Sequence, residues 1–205
     1  MLFDDTYLSI KEISTGEFKD RGSKFIGFAY PIKSESEVKE IIQQLKKEHS
    51  QANHHCYAFR LSPDPTVYRA ADDREPSGSA GKPILAAIQS QQLTDVLVVV
   101  VRYFGGSLLG VPGLINAYRT AAAEALSKAK IIEYTINDKL KITFEFESIN
   151  DVHSILKSEG AIIKNQTYES PCVIDFEIRK SKTNQLLSKF KNHPTLAANA
   201  NWKFV

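Results

Sequence analysis

Three short stretches carry residue types able to do chemistry. The densest is Asp72-Asp73-Arg74-Glu75-Pro76-Ser77-Gly78-Ser79-Ala80-Gly81-Lys82-Pro83. It is rich in charge, Gly, Ser and Pro and lacks a hydrophobic period, so it reads as a loop. Asp72, Asp73 and Glu75 gather carboxylates that could ligate Mg²⁺, an ion that takes one or two carboxylates with phosphate and water. Arg74 among them supports the other reading, carboxylates that are solvated or paired with Arg and Lys. Ser77, Ser79 and Lys82, spaced by glycines, form a loose phosphate cradle. The stretch departs from G-x-x-x-x-G-K-[ST], because Pro83 follows Lys82. Glycines permit unusual backbone angles, and a helix N-terminus attracts anions. The alternative is a turn whose serines cap the next helix.

The second stretch runs Arg102-Tyr103-Phe104-Gly105-Gly106-Ser107-Leu108-Leu109-Gly110-Val111-Pro112-Gly113. An apolar strand delivers Arg102 and Tyr103 to its end, and Gly105 and Gly106 open a turn before a helix. That order suits anions or nucleotides, although it is no G-x-G-x-x-G fingerprint. A buried arginine needs a partner. Asp72, Asp73 or Glu75 would supply one internally, and a phosphate would supply one from outside. Tyr103 and Phe104 are able to stack on bases or to join the core. The third stretch is His54-His55-Cys56. Neighbours in a strand face opposite ways, so His54 and Cys56 share a face and His55 takes the other. The favoured reading is a packed cysteine with hydrogen-bonded histidines. Near the C-terminus, Arg179, Lys180 and Lys182 form a basic cluster, with Lys189 and Lys191 beyond. These either touch phosphates or lie on a solvated helix.

The elements that position these residues belong to a chain of 205 residues, 42% hydrophobic and 24% charged. That composition describes a globular protein of one or two domains. Lys and Arg number 26 against 24 Asp and Glu. A protein that held bare nucleic acid by charge alone would show a clearer excess. Any nucleic-acid site must therefore be a local patch. The longest aliphatic run, residues 96–101, is far short of the ~20 apolar residues that span a bilayer, so no membrane partner is expected. The N-terminus lacks a signal-peptide pattern. Cys56 and Cys172 read as reduced thiols, which implies a cytoplasmic location.

Residues 7–14 and 24–31 read as strands joined by a turn from Gly16 to Gly22. Ser34 caps a helix, and Glu37 completes a capping box. Residues 54–61 and 67–70 form a hairpin. A helix starts at Pro83, a doubly buried strand covers 95–103, and Pro112 opens a long helix to about Lys130. A boundary falls at residues 132–137, where Asn137-Asp138 suits a turn. Beyond it the order β-α-β-β-α-β, with a helix stopped by Gly160, is that of a ferredoxin-like domain. The fold class is α+β, with domains at 1–133 and 134–205.

These residues resemble the IMPACT family. Asp72-Asp73-x-Glu75-Pro76-Ser77-Gly78-Ser79-Ala80-Gly81-Lys82-Pro83 is similar to its signature, as is the segment from Val101 to Leu114. Ser23-Lys24-Phe25-Ile26 and His54-His55-Cys56-Tyr57-Ala58 also fit. The resemblance spans nearly the whole chain and is closest to the bacterial YigZ-like branch. It implies a first domain like domain 2 of a ribosomal small-subunit protein, with a left-handed β-α-β element, followed by the ferredoxin-like domain. It also implies a translation-associated role with RNA or a ribosome as partner, without a cofactor. A metal-dependent hydrolase of phosphorylated substrates and a protein-binding adaptor remain the alternatives. Eukaryotic relatives bind the activator of an initiation-factor kinase, partly through a further domain that this chain lacks. One position departs from the pattern: Arg74 stands where the family usually has Gly, in a loop that would favour positive φ there.

Overall fold

The computed structural model describes residues 5–64 and 66–205. The chain folds as two compact units, Tyr7–Tyr134 and Thr135–Val205, the second also holding residues 5–6. Along the first run β1 (Thr6–Ile10), β2 (Ser14–Asp20), β3 (Ser23–Pro31), α1 (Glu35–Glu48), β4 (His54–Arg60), β5 (Tyr68–Ala71), α2 (Gly81–Ser90), β6 (Val96–Tyr103), α3 (Gly110–Ser127) and β7 (Ile131–Thr135). Five strands form a sheet in the order β2-β3-β6-β4-β5, with every neighbouring pair antiparallel.

The alternation of side chains along β6 builds two cores. Val96, Val98 and Val100 face α2 and α3 together with Phe25, Ala29, Cys56 and Ala58. Leu97, Val99 and Val101 face the other way, onto Val38 and Leu45 of α1. The doubly buried strand expected at 95–103 is this central strand, buried at every position but its last. Ser34 caps α1 by accepting from the Glu37 N–H at 3.3 Å, and Glu37 Oε2 reaches back to the Lys33 N–H.

The first hairpin differs from expectation. The turn is only Arg21-Gly22, both at positive φ, and Gly16 lies inside β2. Gly16 pairs directly with Gly27 of β3. A Cβ on Gly16 would come 2.3 Å from the Ala125 nitrogen, and one on Gly27 would come 2.4 Å from the Ala121 oxygen. These two glycines let α3 lie against the sheet; neither makes a turn. β1 is not the partner of β3. It pairs with β7 in a separate two-stranded sheet. The segment read as a boundary is thus partly strand, and Asn137-Asp138 opens the next strand instead of a turn. Helix α2 starts at Gly81 and α3 at Gly110, each two residues earlier than its proline predicts.

The second unit contains β8 (Asn137–Phe144), α4 (Ile149–Glu159), β9 (Ile162–Thr167), β10 (Cys172–Arg179), α5 (Lys180–Asn192), α6 (Leu196–Asn199) and β11 (Asn201–Phe204). Its sheet order is β11-β8-β10-β9, all antiparallel. Numbered within the unit this is 4-1-3-2, the ferredoxin-like arrangement expected from the β-α-β-β-α-β order. Leu140, Ile142, Phe144, Ile174 and Phe176 bury one sheet face against Val152, Leu156, Leu186 and Phe190 of the helices. Gly160 ends α4 at φ 73°, with its N–H on the Leu156 and Lys157 carbonyls. Residues 5–6 join this unit, not the one that the boundary at 133 assigns them to. Arg179 grips the Asp5 carboxylate with bonds of 2.6 and 2.7 Å, and the Ile136 N–H donates to the Asp5 carbonyl. The Arg179 guanidinium holds the Asp5 carboxyl well below the usual carboxylate range.

Candidate functional site

Arg102 lies two residues beyond Val100 on β6, so its side chain enters the layer between the sheet and α2/α3. It is 5% exposed. Nη1 donates to Glu75 Oε1 at 2.6 Å, and the Tyr118 hydroxyl of α3 donates to the same oxygen at 2.7 Å. His54 Nε2 stands 3.8 Å from it. The guanidinium carbon lies 5.4 Å from the Phe25 ring centroid and 5.5 Å from that of Phe104. Burial pushes the Tyr118 phenol far up, so it stays a neutral donor. Among the three loop carboxylates, Glu75 is therefore the partner that a buried arginine requires. Arg102 Nε is buried and has no hydrogen-bond partner among the described residues.

Glu75 and Arg102 also line a cleft of about 460 Å³. Asn53 and His54 add polar edges, while Leu108, Leu109, Val111 and Leu114 form an apolar wall. Phe104 and Leu108 are 45% and 82% exposed. The turn is pinned from both sides. The Phe104 N–H donates to Asn53 Oδ1, and the Gly105 N–H to Ser23 Oγ. Gly105 packs on the Gly22 backbone, where no side chain would fit, and Gly106 stands open at positive φ. Tyr103 points to the opposite face, its hydroxyl 2.8 Å from His49 Nδ1.

The expected phosphate cradle is already filled. The N–H groups of Gly78, Ala80 and Gly81 all donate to the Asp72 carboxylate, at 2.8, 3.1 and 2.8 Å. Asp72 thus supplies the anion that the start of α2 attracts. Ser79 is buried, with its hydroxyl on the Pro76 carbonyl, whereas Ser77 and Lys82 are exposed outside the cleft. The Mg²⁺ reading loses its ligands for the same reason. Asp72 serves backbone, Asp73 Oδ2 accepts the His55 N–H at 2.7 Å, and Glu75 is taken by Arg102 and Tyr118. Among the described residues no group of His, Cys, Asp and Glu is arranged to hold a metal ion.

Burial opposes ionisation of Asp72, but the three N–H groups, with Lys82 nearby, hold its carboxyl below the ordinary value. A depressed folded value means that the unfolded chain binds the proton first, so stability falls as pH drops. The intact protein will lose stability as pH falls below about 4, the usual carboxylate range. Asp72→Asn will be less stable at pH 7 and will lose less on acidification. Urea midpoints at pH 7 and pH 3 check both effects; equal acid losses would exclude Asp72 as a source.

His54 Nδ1 sits 2.8 Å from the Asp73 carbonyl, which ties the strand to the loop. His55 faces α1, with Nε2 buried and unpartnered, and burial lowers its pKa. The Cys56 thiol donates to the Asp72 carbonyl, and burial pushes its pKa far up, so it is a packed thiol and not a nucleophile. In the other unit Arg179 is committed to Asp5, Lys182 reaches the Glu159 carbonyl, and Lys180 is exposed. Tyr118 and Asn53 escaped sequence reasoning. The one signal for Tyr118 is a polar-tipped side chain on the buried, Ala-rich stripe of α3.

Arg74 adopts φ 71°, the left-handed conformation that suits glycine. Its bond from Nη2 to the Asn53 carbonyl is long, at 3.3 Å. Arg74→Gly will raise stability by about 0.5–1 kcal/mol through relief of that backbone cost. A thermal melt with an unchanged or lower midpoint would show that the arginine contact outweighs it.

The Impact N-terminal domain model matches residues 21–126, the segment that contains Glu75, Arg102 and Tyr118. The chain belongs to the IMPACT family. An IMPACT family member of Haemophilus influenzae is 38% identical over 169 residues, covering 80% of this chain and 81% of its own length. IMPACT family member YvyE of Bacillus subtilis is 30% identical over 179 residues, with 87% and 82% covered. A crystal structure described as that of a hypothetical protein matches with a TM-score of 0.75 at 25% identity, covering 98% of both chains. The architecture is therefore shared along the whole length with a solved chain. Among the described residues of this IMPACT member no helix is long and apolar enough to cross a membrane.

Proposed function

We propose that this IMPACT family member is a cytoplasmic, translation-associated regulatory protein that binds RNA or ribosomes without catalysis. The observation that carries the reading is the cleft at the end of β6. There the buried Arg102–Glu75 pair meets exposed aromatic and aliphatic side chains. The translational context comes from the family resemblance. The Gly-rich loop contributes by holding Glu75 beneath Arg102, and its exposed Arg74 and Lys82 are available to phosphates. A metal-dependent hydrolase would need carboxylates free to share an ion, and here each has its own partner. That favours binding over catalysis.

Co-sedimentation with ribosomes across a salt series, with and without RNase, tests the proposal. Retention at low salt should fade steeply as salt rises, because phosphate contacts release counterions. Arg74→Ala with Lys82→Ala should weaken retention and flatten the salt slope. An intact protein that stays in the supernatant at low salt would remove the reading. Retention that survives RNase and is insensitive to salt would point to a protein partner instead.

A further inference from the structure

The floor of the cleft is electrically balanced, because Glu75 neutralises Arg102. A phosphate placed there would meet little net positive charge. The floor instead suits a flat ligand with apolar faces and a hydrogen-bonding edge. Arg102 and Glu75 both line the cleft, and their mutual bond uses only Nη1 and Oε1, so Nη2 and Oε2 stand outside it. One donor group and one acceptor of this pair are thus left over. Nucleobase edges present the complementary arrangement, with acceptors adjacent to N–H donors. Phe104 is exposed at the rim, and unpaired bases stack on such rings. The volume of about 460 Å³ accommodates one base with its sugar.

Resting on the RNA-binding reading above, we infer that the cleft takes one unpaired RNA base, stacked on Phe104 and held at its edge by Arg102 and Glu75. A base within a duplex already has its faces stacked and its edge paired, so the site excludes double-stranded RNA. Phosphates flanking the inserted base lie outside the cleft, on the side where exposed Arg74 reaches the Asn53 carbonyl.

Fluorescence anisotropy of the full chain with a short labelled single strand, and with its blunt-ended duplex, decides the matter. The single strand should bind about tenfold or more tightly than the duplex. Phe104→Ala should weaken single-strand binding by about tenfold, the scale of one base–aromatic stack. Phe104→Trp should restore it, with the new indole fluorescence quenched on binding. Thermal melts confirm that both variants fold. Equal affinity for strand and duplex, or a Phe104→Ala variant that binds the strand as the parent does, overturns the base pocket while RNA binding stands. If the parent binds neither RNA, both readings fall.

Discussion

Glu75→Ala will destabilise the protein by about 3–5 kcal/mol, the usual cost of removing one partner of a buried ion pair. Glu75 and Arg102 have side chains only 3% and 6% exposed. Deleting the carboxylate leaves an almost fully buried guanidinium without its charge partner, and it also orphans the Tyr118 hydroxyl. Stacking between Phe25 and Phe104 offsets part of that charge but cannot accept its protons. Glu75→Gln will cost less, since an amide oxygen still accepts from both donors. Replacing both partners, Glu75→Leu with Arg102→Met, will be less destabilising than Glu75→Ala, because no buried charge remains. Urea unfolding of the parent and these variants measures the cycle. A Glu75→Ala midpoint equal to that of the parent would mean that Arg102 finds another acceptor.

Gly27→Ala will cost about 3 kcal/mol, at the upper end of overpacking effects. Its new methyl would meet the Ala121 carbonyl, and α3 must lift to admit it. Gly16→Ala will behave alike against the Ala125 nitrogen. The two glycines face each other across one strand pair and share one helix. Their effects will therefore fall short of additive: once α3 has moved, the second methyl meets less resistance. Unfolding midpoints of the two single variants and the double variant test this. Full additivity would mean that the strands yield separately and the helix stays in place. Because Tyr118 sits on the same helix, a lifted α3 also draws its hydroxyl away from Glu75.

Local signals carried much of the architecture. The apolar run at 96–101 has no polar alternation, so a strand built from it must be covered on both faces, and β6 is. Ser34 and Glu37 mark the start of α1 through atoms three residues apart. Gly160 stops α4 because its left-handed φ is open to a residue without a Cβ. The β-α-β-β-α-β order, combined with short connections, leaves few ways to form a sheet, and β11-β8-β10-β9 is one of them. The likeness of residues 72–83 and 101–114 to the IMPACT signature was legible for the same reason, as contiguous residues.

What the sequence left open were choices between partners distant along the chain. Gly16 has the same composition whether it turns a hairpin or admits a helix; the approach of Ala125, far along the chain, decides it. Three carboxylates stand close to one another in sequence, yet only the folded loop sends Asp72 to its own N–H groups, Asp73 to β4 and Glu75 to Arg102. The same loop N–H groups that suit a phosphate cradle are satisfied from within, because a carboxylate tethered nearby needs no association step to reach them. Residue types and their local spacing determined the elements, the family and the short list of chemically able side chains. The tertiary structure alone decided which of them meet, because burial makes each charge and each close backbone approach depend on whatever the fold places against it.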